Sequence, residues 1–154
     1  MLLLLFQAGN DQYALETNRV LQVLPRAKLR PYPAVPDYIA GILDFHGKPV
    51  VVADLTSLLA GAPGRKLMST RIIIAEYPGR DGKKIRLGLM AEGATTAIKK
   101  DRIEFIENVL KTPGVNYLGK MFREGERLIQ LVKIEEIVPT ELENILTDVD
   151  ENIS

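Results

Sequence analysis

The sequence predicts an all-β protein folded as one closed barrel or as two small ones. Nine or ten short apolar or alternating runs follow one another along the 154 residues, separated by Gly, Pro, Asn and Asp at close intervals. This spacing is typical of β-barrels and sandwiches. No long helical pattern occurs before residue 132, which excludes a parallel sheet with crossover helices. Because barrels remove exposed strand edges by closure, a pair of them leaves a groove between them as the natural docking surface.

The chain before residue 60 predicts five strands and two short helical segments. The turn Ala8-Gly9-Asn10-Asp11 joins the first two strands, because Gly and Asn tolerate the positive φ angles of tight turns. Pro31, Pro33 and Pro36 exclude a central strand, since each proline lacks a backbone donor. Asp54 is placed to cap a short helix. The predicted strands are residues 2–6, 13–15, 20–24, 41–45 and 49–52, with helical segments at 16–20 and 55–59.

A second series of strands is predicted after a linker at residues 60–69, which favours two barrels divided there. Asp81-Gly82 is a strong hairpin signal. Ile103, Ile106 and Leu110 share one face of a predicted helix over residues 102–110. The predicted strands are residues 70–77, 84–90, 95–98, 117–122 and 127–132, followed by a helix through Ile134, Ile137 and Val138 and then a frayed acidic tail with a weak apolar stripe of Leu142, Ile145 and Leu146.

The composition includes few of the residue types that catalysis and metal binding require. The chain has no cysteine and a single histidine, His46, which excludes disulfide scaffolds, thiolate metal sites and multi-histidine metal sites. The nucleophile motif G-x-S-x-G is absent. We therefore expect no active site, no metal and no cofactor. The opening MLLLLF is too short to span a bilayer and lacks the flanks of a signal peptide, so a cytoplasmic protein without membrane insertion is expected.

The charge is unevenly distributed although the formal net charge is zero. Residues 134–154 carry seven acidic and no basic residues, so residues 1–133 hold 20 basic and 13 acidic residues, a net charge of +7. The basic residues occur as scattered pairs with few aromatic residues between them to stack bases. An ordinary solvated surface is expected from this pattern, and nucleic-acid binding is not.

Residues 33–55, PAVPDYIAGILDFHGKPVVVADL, resemble the signature of CheW-like chemotaxis coupling proteins. In that family a proline loop leads to P-x-Y-[IV]-x-G, then to a strand, a turn, a second strand that begins on proline, and Asp-Leu at the start of a helix. The resemblance extends in order over nearly the whole chain, including a strand that begins at a glycine, here Gly88. The residues that match the signature are Pro36, Tyr38, Gly41, Gly47, Pro49, Asp54 and Leu55.

The resemblance implies a fold and a role. The fold would be two intertwined five-stranded barrels of Src-homology-3-like form with short helices and a C-terminal helix. Residues 1–139 would form one domain of two β subdomains, divided near residues 60–69, and residues 140–154 would be an acidic tail. The role would be a non-catalytic scaffold that links the cytoplasmic tip of chemoreceptors to the regulatory domain of a histidine kinase.

Receptor contacts are implied by resemblance for Val20, Gln22, Gly41, His46 and Ala97. The glycines of the signature also have a purely structural interpretation, since close strand approach and positive φ both require glycine. His46 departs from the family pattern, in which an arginine occupies this position of the turn. An imidazole carries a charge that depends on pH, whereas a guanidinium is always charged. Gln22 and the pair Ala91-Glu92 are further departures, which fit a paralogue in a dedicated pathway.

Two alternatives remain from the residues themselves. The loop Gly61–Lys66 superficially resembles a phosphate loop, so a small-barrel enzyme or ligand-binding protein is one alternative. The full motif G-x-x-x-x-G-K-[ST] is absent there. A nucleic-acid-binding barrel is the other alternative, and salt-sensitive binding to arbitrary oligonucleotides would support it.

Overall fold

The computed structural model describes residues 1–79, 82–106 and 120–153. The described chain is mostly β-structure, as the sequence predicts. Its strands are β1 (Leu2–Ala8), β2 (Asp11–Glu16), β3 (Val20–Pro25), β4 (Ile39–Phe45), β5 (Lys48–Asp54), β6 (Arg71–Pro78), β7 (Lys84–Lys99), β8 (Met121–Glu124) and β9 (Arg127–Val132). Its helices are the 3-10 turn η1 (Thr17–Arg19), α1 (Leu55–Ala60), α2 (Ile134–Ile137) and α3 (Thr140–Ile153).

The strands form two five-stranded sheets that share β7. In the first sheet, β1 pairs with β2 and with the second half of β7, and β2 continues to β9 and β8. In the second sheet, the first half of β7 lies between β6 and β5, with β3 beyond β6 and β4 beyond β5. The chain starts in the first sheet, builds the second and returns along β7. The two sheets are therefore intertwined, and the predicted all-β class is confirmed.

The 16-residue strand β7 replaces the two separate strands predicted at residues 84–90 and 95–98. Its pairing with β6 ends at Ala91, and its pairing with β1 begins at Glu92. Gly93 follows with a φ of 61°, a conformation that glycine adopts without steric cost. The glycine lets the strand bend from one sheet into the other without ending.

The linker at residues 60–69 connects elements that both belong to the second sheet. It connects α1, which follows β5, to β6, and both of these strands belong to that sheet. The chain passes between the sheets at η1 and within β7 instead. A division near residues 60–69 therefore does not coincide with the boundary between the sheets.

The predicted helix over residues 102–110 is wrong for its described part. Residues 102–105 have no regular structure, and Ile106 forms an isolated antiparallel bridge with Met121. The Ile106 amide donates to the Met121 carbonyl at 2.8 Å, so a strand partner distant in sequence overrides the helical spacing of apolar residues. Residues 107–110 of that prediction, residues 117–119 of a predicted strand, and Asp81 of the predicted hairpin turn lie outside the described residues.

The chain end after Pro139 is a packed helix, so the expectation of a frayed tail is wrong. Leu142 and Leu146 of α3 are 0% and 1% exposed and belong to the largest core cluster, which includes residues of both sheets. Ile145 and Val149 pack against the same cluster. These four residues recur at i, i+3, i+4 and i+7, the spacing of one helix face. The weak apolar stripe is sufficient to dock α3, because the core of the two sheets packs against it.

Removal of α3 should therefore destabilise the protein. Leu142→Ala and Leu146→Ala should each lower the free energy of unfolding by about 2–5 kcal/mol, the usual cost of truncating a buried leucine. The control Asp148→Ala changes an exposed residue of the same helix and should stay within about 0.5 kcal/mol of the parent. Urea unfolding measures all three. Equal midpoints for the leucine variants and the control would contradict a docked helix.

Candidate functional site

Tyr38 connects the start of β4 with β5 and α3. Its carbonyl accepts from the Asp54 amide at 2.7 Å, and its hydroxyl donates to Glu141 Oε1 at 3.0 Å. Burial raises the pKa of the Tyr38 phenol well above its usual range, and the hydrogen bond to Glu141 and the charge of that residue act in the same direction. The phenol thus stays protonated and keeps donating. This residue of the signature ties the C-terminal helix to the second sheet.

Asp54 caps helix α1, as its position in the sequence predicts. The carboxylate is 7% exposed. It accepts from the Thr56 amide at 3.0 Å, the Ser57 amide at 3.5 Å and, through its other oxygen, the Gly64 amide at 2.8 Å. Leu55, which follows it, is fully buried. Both carboxylate oxygens accept hydrogen bonds from backbone amides, so Asp54 has a structural role in α1 and in the loop after it.

Two glycines of the resemblance are required by close packing. A Cβ atom on Gly41 would lie 2.6 Å from the Arg30 carbonyl oxygen, and Gly41 has a φ of 149°. A Cβ atom on Gly88 would lie 2.8 Å from Cγ2 of Val52, on the neighbouring strand β5. Gly41 is buried and has no side chain to offer a partner. Gly41 therefore has a structural role in the close approach of β4 to Arg30.

The β4–β5 turn consists of His46 and Gly47. Phe45 pairs directly with Lys48, and the two central residues have φ angles of 52° and 82°. Positive φ at both positions is the requirement of a type I′ hairpin turn. Asp44 Oδ1 accepts from the Gly47 amide at 2.9 Å and supports the turn. Pro49 follows at a half-buried position on β5.

The imidazole of His46 is exposed at the tip of this turn. Its ring centroid lies 4.4 Å from that of Phe45, in an edge-on arrangement. The Arg86 guanidinium lies 5.6 Å from the Phe45 ring centroid. Lys48 follows in the chain at an exposed position. The turn therefore exposes the His46 ring against Phe45, on a segment that also carries Asp44 and Lys48.

Strand β3 presents an exposed apolar edge. Leu21 and Val23 are 47% and 40% exposed, and Gln22 between them is also exposed. Val20 is half-buried and packs against the core. In the described part of the chain β3 pairs with β6 and has no strand on its other edge. Alternation in the sequence indicated the strand, but only the strand order shows that both apolar side chains lie at a sheet edge.

The residues with implied receptor contacts lie on separate elements. Val20 and Gln22 lie on β3, Gly41 on β4 and His46 on the β4–β5 turn, all in the second sheet. Ala97 is exposed on the second half of β7, opposite Leu4 of β1 in the first sheet. The structure thus exposes Gln22, His46 and Ala97, half-exposes Val20 and buries Gly41. That these residues contact a receptor stays a prediction.

The loop after α1 is held by buried carboxylates rather than open to a phosphate. Gly61 ends α1 with a φ of 75° and donates its amide to Ser57. The Gly64 amide donates to Asp54, and the Arg65 amide and Nε both donate to Glu92 Oε1. Glu92, one of the departures from the family pattern, is 3% exposed. A phosphate loop needs free amides, and these three amides already have partners within the protein.

The described residues contain neither a cluster of metal-ligating side chains nor a membrane-spanning helix. Three or more histidine, cysteine, aspartate or glutamate side chains do not come together there as a group able to hold a metal ion. Over the same residues, no helix is both long enough and apolar enough to cross a membrane.

Comparison with known proteins gives a family match, a curated relative and a structural neighbour. The family model for the CheW-like domain matches residues 2–142. The chemotaxis protein CheW of Klebsiella aerogenes is 23% identical over 140 residues, covering 90% of this chain and 81% of that protein. The crystal structure of the scaffolding protein TtCheW from Thermoanaerobacter tengcongensis matches with a TM-score of 0.75 at 20% identity, covering 92% of this chain and 89% of that chain.

The family match places the chain in a class of non-catalytic adaptors of chemotaxis signalling. The chain belongs to the CheW-like domain family. The resemblance of residues 33–55 is therefore confirmed, and so is the expectation of an adaptor rather than an enzyme. The structural match, at its low identity, shows the shared fold.

A pair of glycine variants tests which glycine of the signature is required by close packing. Gly41→Ala forces a Cβ atom against the Arg30 carbonyl, so it should lower the free energy of unfolding by about 3 kcal/mol, the sum of overpacking and backbone strain. A Cβ atom at Gly47 would have no neighbouring atom within 4 Å. Gly47→Ala should therefore lower the free energy of unfolding by only about 1–2 kcal/mol, the cost of its positive φ. Chemical denaturation of both variants tests this order. A Gly41→Ala protein as stable as the parent would contradict the requirement for close packing at this position.

Proposed function

We propose that this protein couples the cytoplasmic tip of chemoreceptors to the regulatory domain of a histidine kinase, by binding both at once. The observation that carries the proposal is the CheW-like family match over residues 2–142. The curated relative is named a chemotaxis protein, and the similar structure is described as a scaffolding protein. Both partners expose the relevant surfaces in the cytoplasm, so the proposed location of this protein is cytoplasmic.

The receptor surface is proposed to centre on the outer edge of β3, with Val20 and Gln22 as contacts. The exposed Leu21 and Val23 on the same strand support this assignment. Apolar side chains on an unpaired sheet edge offer both buried area and free backbone groups to a partner. His46 and Ala97 are proposed as further contacts, and Gly41 as a residue that shapes the surface through its backbone.

Scaffolding also explains why modest contact surfaces are sufficient. When one partner is already bound, the second interaction takes place at a high effective concentration. Each interface can then be weak on its own and still hold the signalling array together. No nucleotide or chemical step by the scaffold is required in this mechanism.

Binding assays with matched surface variants test the coupling role. The purified protein should bind both the regulatory domain of its cognate kinase and a receptor cytoplasmic fragment without nucleotide, at micromolar concentrations in calorimetric titrations. Leu21→Ser with Val23→Ser should weaken receptor binding by about tenfold or more, since two apolar contacts are lost. Leu128→Ser changes a residue that is 43% exposed on β9 and serves as the control. The absence of binding to either parent partner would refute the coupling role, and equal loss in variant and control would refute the β3 surface.

Substitutions at His46 test a charged contact with the receptor. If a receptor carboxylate faces this turn, the bound state favours the protonated imidazole, so affinity should rise as the pH falls from about 7.5 to about 5.5. His46→Arg should keep strong binding at both pH values, and His46→Ala should bind weakly at both. Titrations at the two pH values compare the three proteins, with Asp44, Lys48 and Arg86 unchanged in each. Parallel pH profiles for the parent and His46→Ala would exclude a charged contact and leave the coupling role intact.

A further inference from the structure

A cavity in the second sheet is lined by residues outside the proposed receptor contacts. It has a volume of about 620 Å³ and lies between residues 26–29, which follow β3, and residues 63–66 of the loop after α1. Ala40 of β4 and Met90 of β7 also line it. Small-molecule sites have volumes of about 300–1,000 Å³, so the cavity is of a suitable size for a compact ligand.

One wall of this cavity is held in place by two buried carboxylates. Asp54 binds the Gly64 amide at 2.8 Å, and Glu92 binds both the amide and the guanidinium of Arg65. Asp54 and Glu92 are 7% and 3% exposed. Because consecutive residues of the loop are tied to the second sheet, the neighbouring Lys66 leaves the backbone at a defined position. The wall is thus preorganised rather than assembled by a ligand.

The charge around the cavity favours an anion. Arg26, Lys28 and Lys66 line it, all three are exposed, and none has an ion-pair partner in the described part of the chain. Asp54 is the acidic residue among the lining residues, and its oxygens already accept from three backbone amides. Three unpaired cations on two opposing walls are suited to a group with several negative charges.

The remaining lining residues indicate that the ligand also has an apolar part. Leu29 and Ala40 are half-buried, Met90 is buried, and Ala27 and Pro63 complete the apolar surface. A bare phosphate ion would leave this surface uncovered. A nucleoside phosphate places a flat, weakly polar ring and a polyanionic group on one small molecule, and so satisfies both parts of the cavity.

We propose that this cavity is a binding site for a small phosphorylated molecule of the nucleotide class, held by Arg26, Lys28 and Lys66. The site uses side-chain cations from two segments of the chain and differs from a phosphate loop, whose free backbone amides are missing here. The lining residues do not include β3 or the His46 turn, so the site is separate from these proposed receptor contacts.

Titration calorimetry with ADP, inorganic pyrophosphate and adenosine tests the proposal at a constant ionic strength of about 0.15 M. ADP should bind saturably with one site per chain, and pyrophosphate should compete with it. Adenosine should bind at least about tenfold more weakly than ADP, because it lacks the charged group. The absence of saturable ADP binding, or equal affinity for ADP and adenosine, would overturn the proposal.

A pair of triple variants shows whether the three named cations make the site. Arg26→Gln, Lys28→Gln and Lys66→Gln together should weaken ADP binding by about 100-fold or more, and Lys66→Gln by itself by about tenfold. The control combines Lys99→Gln, Arg123→Gln and Arg127→Gln, which are exposed residues elsewhere and give the same change in net charge. The control should retain the parent affinity. An equal loss in both triple variants would show general electrostatic attraction and would refute the site, whereas the coupling role is tested separately by receptor and kinase titrations.

Discussion

The pairing of β7 with strands of both sheets is the constraint on which the rest of the structure depends. Its first half holds β6 and β5 together, and its second half holds β1. Gly88 lets β5 approach closely, and Gly93 lets the strand bend between the sheets. Because one continuous strand belongs to both sheets, their cores are joined, and the largest cluster contains residues of each. The surfaces used for binding are therefore carried on one connected framework.

The signature residues act mainly by shaping that framework. Tyr38 and Asp54 join β4, β5, α1 and α3 through hydrogen bonds, and Gly41 permits the close approach of Arg30 to β4. A family signature of this kind identifies the fold more directly than it identifies the contact surface. The exposed side chains Leu21, Val23 and His46 lie beside the signature or at its turn. Because they are exposed, substitutions at these positions are expected to retain the fold.

The organisation of charge follows the same division between framework and surface. The acidic residues of the C-terminal segment lie on a helix whose apolar face is buried, so the negative charge of the chain end is held against the body. The buried carboxylates Asp54 and Glu92 accept hydrogen bonds from backbone amides. Their role is to hold a loop in place, which leaves function to the exposed surfaces.

The sequence by itself determined the features that depend on neighbouring residues. The cap at Asp54, the tight turn at Gly47 and the breaks at the prolines follow from local backbone chemistry, and the ordered motifs were enough to indicate the family. Only the tertiary structure decided three features that depend on distant partners. They are the continuity of β7 through Gly93, the position of β3 at a sheet edge, and the docking of α3 through Leu142 and Leu146. An apolar run or stripe is the same in sequence whether or not a partner covers it, because the partner is supplied by chain segments far away.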